Sequence, residues 1–248
     1  MNLKKSIFLF TLLFFAFSSV NSSPKEIEIR TLGFPPFGID EKGQHSGIYY
    51  DFANQIVSNA GYSFNNQVIP YARIVKSLKF GHIDLTIMYR YPELEPFVHY
   101  IAPLPSQRLC VISLKGTHFN NLSDLQGKKI TYIRGAKLNE FIDNDETIIK
   151  HQVRDYTQGL KILAAGRADG IIGALQPIQK AASELEKTDN ITLVFDEPLI
   201  FDARSPWLQI SKKSSLYLDS EKLKESFLEL EANNTLNTLT EQYRSKAK

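Results

Sequence analysis

The chain has 248 residues, 43% hydrophobic and 23% charged, with 29 Lys and Arg against 27 Asp and Glu for a formal net charge of +2. That length is ample for one large domain or two smaller ones, and the interspersed, nearly balanced charges exclude the basic stripe that nucleic acid demands. One cysteine, Cys110, excludes an intrachain disulfide, so hydrophobic burial must hold the fold.

Lys4 and Lys5, the apolar run over residues 6–20 and the small polar segment Asn21-Ser22-Ser23 predict a cleavable export signal over residues 1–22. The run is shorter than the roughly 20 residues of a spanning helix, and no cysteine follows it to carry a lipid anchor. The signal holds two lysines and no acid, so its removal leaves a nearly neutral chain. The expected location is the periplasm, without a lipid anchor.

Residues 27–32 alternate with period two, as a strand does. They stop at Gly33-Phe34-Pro35-Pro36-Phe37, where two prolines end pairing and stiffen a loop. Phe52, Ile56 and Ala60 share a helical face, with Gly61 as the stop. A short strand over 67–69 leads to Pro70, and a helix over 72–80 buries Ile74, Val75 and Leu78 before Gly81 ends it. Residues 83–88 then read as a strand covered on both faces.

The same grammar returns with a strand over 129–133, a short helix over 136–142, a helix through Leu160, Leu163 and Ala164 that Gly166 stops, and a buried strand over 170–174. Ser77-Leu78-Lys79-Phe80-Gly81-His82-Ile83-Asp84 matches Ile162-Leu163-Ala164-Ala165-Gly166-Arg167-Ala168-Asp169 in pattern, 85 residues apart. In each, an amphipathic helix ends at Gly and an Asp opens a buried strand. Alternation of strands and helices implies a mainly parallel sheet, and the repeat predicts two such α/β lobes. Pro-containing stretches at 102–107 and 196–207 are the candidate crossings. They give a first lobe of 23–104 with 206–248, a second of 105–205, and a two-strand hinge around a cleft. Two helical stripes close the chain: Leu223, Phe227 and Leu230 behind Asp219 as N-cap, then Leu236, Leu239 and Tyr243.

Catalytic patterns are scarce. His45, His82, His99, His118 and His151 show no metal-ligand spacing, and there is no Gly-x-Ser-x-Gly elbow or Gly-rich phosphate loop. Cys110 sits in an apolar run and reads as a core thiol. Glu93 and Glu95 read as a solvated face, with a general acid as the alternative. No metal or cofactor is called for.

Material for binding is richer. Ligands meet α/β sheets at the carboxyl ends of strands, and there Phe34, Tyr49, Tyr71 and Tyr89 would supply apolar walls. Part of such a set is expected in the core instead. Arg73, Arg90 and Arg134 stand near the same strand ends, where a guanidinium fork can grip a carboxylate. The plainer role for each is a surface salt bridge. Gly135, between a strand and a helix, could turn its amide to an anion.

With these residues assembled, the chain resembles the family 3 extracellular solute-binding proteins. The likeness rests on Gly33-Phe34-Pro35-Pro36-Phe37, Gly47-Ile48-Tyr49-Tyr50-Asp51, Tyr71-Ala72-Arg73 and Gly81-His82-Ile83-Asp84. It continues through Leu125-Gln126-Gly127-Lys128-Lys129, Arg134-Gly135 and Gly166-Arg167-Ala168-Asp169. The resemblance implies a type II periplasmic-binding-protein clamp that closes on a small solute and presents it to a membrane permease of the ABC type. It also implies an Arg for a ligand carboxylate where this chain has Leu94, and an acid for a ligand ammonium where it has Ala174. Leu cannot donate a hydrogen bond and Ala cannot balance a charge, so an ordinary α-amino acid would leave its charges unpaired, at a cost of several kcal/mol. The expected protein is therefore a monomeric, non-enzymatic binder of a small polar or aromatic solute. Its alternatives are a dehydratase-like enzyme on the same clamp and a ligand-sensing subunit that docks a membrane receptor.

Overall fold

The structure is a computed structural model that describes residues 26–245, so the export signal expected over 1–22 lies outside the described residues. The chain runs through β1 (Ile27–Leu32), the small hairpin β2 (Ile39–Glu41) and β3 (Gln44–Ser46), α1 (Ile48–Asn59), β4 (Phe64–Ile69), α2 (Tyr71–Phe80) and β5 (Leu85–Tyr89). β6 (Val98–Pro103) and β7 (Gln107–Ile112) precede β8 (Lys129–Ile133), α3 (Glu140–Asn144), β9 (Ile149–Val153), α4 (Tyr156–Ala164), β10 (Gly170–Ala174) and α5 (Leu175–Asp189). β11 (Leu199–Arg204) and β12 (Pro206–Ser211) lead into α6 (Ser220–Ala232) and α7 (Thr235–Ser245).

The strands form two five-stranded sheets, ordered β4-β1-β5-β12-β6 and β11-β7-β10-β8-β9. β1 pairs parallel with β4 and β5, while β12 pairs antiparallel with both β5 and β6. In the second sheet β8 pairs parallel with β9 and β10, while β7 is antiparallel to β10 and β11. Each sheet thus has one strand running against the other four. Those two strands, β7 and β12, are the ones that enter from the opposite lobe. They arrive without a helical crossover, so nothing requires them to be parallel.

The repeated helix-stop does the same work in both lobes. Gly81 and Gly166 take left-handed φ values of 72° and 65° and turn the chain out of α2 and α4. Asp84 Oδ2 then accepts the backbone N–H of Glu28 at 2.9 Å, and Asp169 Oδ2 accepts that of Lys129 at 2.7 Å. The backbone N–H groups of Asp84 and Asp169 return bonds to the carbonyls of the same two residues. Each Asp therefore sets the register between a strand and its parallel neighbour.

Two expectations shift locally. The short helix expected over 136–142 begins only at Glu140, because Asn139 Oδ1 caps it by accepting the Ile142 N–H and the Leu138 N–H is held by the Tyr132 hydroxyl at 2.9 Å. Asp219 occupies the N-cap position of α6 without a capping bond and accepts from the Tyr62 hydroxyl instead. The core has two parts. One fills the α1, α6 and α7 side of the first sheet, and the other runs from α2 and the ends of β1 and β5 into the second lobe. Among the described residues, no helix is long and apolar enough to cross a membrane.

Candidate functional site

β1, β5, β8 and β10 each place their last residue, Leu32, Tyr89, Ile133 and Ala174, on one cavity between the lobes. This is where an α/β sheet offers its strand ends to a ligand. The cavity measures about 40 Å³, room for roughly three waters. Six aromatic rings stand in its wall, Phe34, Phe37, Tyr49, Tyr71 and Tyr89 from the first lobe and Tyr156 from the second, among aliphatic residues such as Ile87, Met88 and Leu138. Among the described residues that line it, none carries a charge, and Gln107 is the one amide.

The rings hold one another. Phe37 stacks on Tyr49 at 4.3 Å between centroids, and Phe34 lies 6.5 Å from Tyr71 and 5.0 Å from Tyr156. Gln107, at the start of the crossing strand β7, ties two of them together. Its Oε1 accepts from the Tyr89 hydroxyl at 2.8 Å and its Nε2 donates to the Tyr49 hydroxyl at 2.6 Å. The Tyr156 hydroxyl accepts the Ala174 N–H at 3.2 Å. Burial pushes the hydroxyls of Tyr49, Tyr71, Tyr89 and Tyr156 well above the ordinary phenol value, so all four are neutral.

Of the residues expected at the site, Phe34, Tyr49, Tyr71 and Tyr89 are brought together on this wall. Arg73, Arg90, Arg134 and Gly135 are not. All four are exposed. Arg90 pairs with Glu95 at 3.0 Å and lies over Tyr100 and Trp207, its guanidinium carbon 4.4 Å and 5.5 Å from their ring centroids. Gly135 takes φ 78° and its carbonyl accepts from the Tyr91 hydroxyl at 3.0 Å, a bond between the lobes. Arg90 and Arg134 follow the last residues of β5 and β8, and Arg73 lies about 200° around α2 from Tyr71.

The two substituted anchor positions behave differently. Leu94 is 1% exposed in a 3₁₀ turn and belongs to the core, away from the wall. Ala174 lies on the wall itself. Beside it, Gly173 leaves the space that the Tyr156 ring fills, for a Cβ there would stand 2.3 Å from the Tyr156 hydroxyl. Cys110 is fully buried, its Sγ 3.6 Å from the Gly173 carbonyl, and burial pushes its thiol up to about 12. It is a core thiol.

Phe37, from the same loop as Phe34, joins the wall, and Gln107 and Tyr156 do so without having been expected there. For Tyr156 a signal existed. It opens α4 at the same 85-residue offset from Tyr71, which opens α2, as separates the two helix-stops.

The fold is that of several solved structures. A histidine kinase sensor domain with similarity to periplasmic binding proteins matches with TM-score 0.76 and 15% identity, over 89% of this chain and 96% of that one. The arginine-, lysine-, histidine-binding protein ArtJ from Geobacillus stearothermophilus matches with TM-score 0.72 and 18% identity, over 88% and 95% of the two chains. The GluR0 ligand-binding core from Nostoc punctiforme, in complex with (L)-glutamate, matches with TM-score 0.72 and 17% identity, over 88% and 98%. At such identities the likeness shows the fold alone, a two-lobed type II periplasmic-binding-protein clamp. No curated protein matches the chain. The family model described as bacterial extracellular solute-binding proteins, family 3, matches residues 28–246, and the chain belongs to that family.

Proposed function

We propose that this solute-binding protein is exported to the periplasm through its N-terminal signal, where it captures a small polar or aromatic solute between its lobes and hands it to an ABC importer. The observation that carries this reading is the wall of rings at the ends of four strands, shared by both lobes. A ligand that touches both walls favours the closed clamp by its differential affinity for that state. The lobe limits of 23–104 with 206–248, and of 105–205, are part of the same reading. In their support, the first sheet ends at Pro103 and resumes at Pro206.

Several proteins of this fold are named for arginine, lysine, histidine or glutamate, and this cavity offers such charges no partner. An ordinary α-amino acid therefore fits this reading poorly. Catalysis fits it poorly too: Glu93 and Glu95, the carboxylates a general acid would need, are exposed and stand outside the wall. A thermal-shift screen of amino acids, amines, organic acids and aromatic solutes tests the proposal. A true ligand at 100 times its Kd should stabilise the protein by about 2.7 kcal/mol, while the standard amino acids leave the melting temperature in place. Strong stabilisation by any of them overturns this preference against amino acids, and a silent screen overturns solute capture.

A further inference from the structure

The polar groups on the cavity wall are few enough to follow one at a time. Gln107 is engaged at both ends of its amide, by Tyr89 and Tyr49. Tyr89 donates its proton to Gln107, and the Tyr156 hydroxyl rests on the Ala174 N–H. Tyr49 and Tyr156 only accept at their hydroxyls, whereas Tyr71 neither donates nor accepts among the described residues. It is 6% exposed, lines the cavity, and its hydroxyl makes no hydrogen bond with any described residue. That hydroxyl is not one of the fully buried polar atoms left without a partner, so it is open to the cavity and available to a ligand.

We propose that the solute is an uncharged ring compound carrying a hydrogen-bond acceptor, held between the aromatic walls with its acceptor on the Tyr71 hydroxyl. This deepens the cleft-binding reading above and rests on it. Neutrality follows from the wall, where no described lining residue is charged. The nearby Arg204 is already engaged by Asp202 and the Leu138 carbonyl, and Asp143 by the Tyr132 hydroxyl, so a buried ion would forfeit its hydration unpaired. An acceptor follows from the phenol, which burial keeps protonated and able to donate. The ring follows from Phe34, Tyr71 and Tyr156, whose faces favour offset or edge contacts with another aromatic. At about 40 Å³ the space is well below the roughly 150 Å³ that takes up benzene. Entry therefore requires the lobes to part, breaking the Tyr91 to Gly135 bond and the Gln107 bridge.

Calorimetric titration of the purified protein with five probes tests this. The probes are acetophenone, toluene, benzoate, benzylammonium and tetramethylammonium, applied to the natural protein and to Tyr71→Phe. Acetophenone should bind best, and Tyr71→Phe, which keeps the ring, should weaken it about tenfold while leaving toluene unchanged. An unaltered melting temperature shows that the variant is folded, and Tyr71→Leu provides a second variant without the hydroxyl. Equal acetophenone affinity in the natural and variant proteins overturns the role of Tyr71. Tighter binding of benzoate or either cation overturns neutrality while the cleft reading stands, tetramethylammonium in particular marking the wall as a cation cage. No acetophenone binding at millimolar concentration overturns the ligand class, and the solute screen then judges the cleft reading separately.

Discussion

The two lobes have nearly the same skeleton and different faces. Counting from Asp84 and Asp169, the first lobe ends β5 with Met88 and Tyr89, whereas the second ends β10 with Gly173 and Ala174. The large strand-end side chains of the first lobe meet small ones in the second, and Tyr156 reaches over from α4 to cover Gly173. Tyr71 opens α2 in the equivalent place but meets no such backbone, and its hydroxyl stays unengaged on the cavity wall. Equivalent helices and strands thus yield a tyrosine bonded to backbone on one side and an unbonded, cavity-lining one on the other. What differs is the volume of two strand-end residues, not the architecture.

The sharpest way to break this comparison is Gly173→Ala. Its Cβ would stand 2.3 Å from the Tyr156 hydroxyl, so the ring must leave its place, at an expected cost of about 3 kcal/mol. Met88→Leu at the equivalent position of the first lobe should cost less than about 1.5 kcal/mol. Urea denaturation measures both, and a near-neutral Gly173→Ala would show that Tyr156 does not depend on the missing side chain.

A smaller effect tests the shared part. Asp84 is 4% exposed and Asp169 is half-buried, yet each accepts one strand N–H. Asp84→Ala should cost about 2 kcal/mol and Asp169→Ala about 1 kcal/mol, following the desolvation of the orphaned donor. Equal losses would mean that burial does not separate the two lobes here.

The smallest effect belongs to the second lobe alone. His118 Nδ1 lies 2.9 Å from Asp196 Oδ1, and that hydrogen bond raises His118 above its ordinary 6.5. The Glu197 N–H and then His118 hold Asp196 below its ordinary 3.8. The raised base adds stability that is full below pH 6.5 and fades as pH rises through its folded value. The lowered acid adds stability that is full above pH 3.8 and fades as pH falls. His118→Gln should therefore lower the melting temperature at about pH 5.5 more than at about pH 8.5. The reverse order would remove the pair from the account.

The skeleton was legible in the chain because its signals are local. Ile27 and Ile29 alternate into the core as period two requires, and Gly81 and Gly166 stop their helices in the left-handed conformation that favours glycine. The site was legible by halves. Its rings could be named, since apolar groups at strand ends have few other places to go. Its arginines were assigned by proximity in sequence, and the structure leaves Arg73, Arg90 and Arg134 exposed outside the cavity wall, because nearness to a strand end does not fix where a long side chain lies.

By itself, then, the sequence determined two α/β lobes, their helix stops and a ring-rich meeting place, because these depend on periodicity and on backbone conformations that glycine permits. Only the tertiary structure decided that β7 and β12 run against their sheets, that Gln107 bridges Tyr49 and Tyr89, and that Tyr156 is engaged while Tyr71 is not. Those outcomes depend on which distant segments share a space. A hydroxyl is bonded or left open on a cavity wall according to what it meets there.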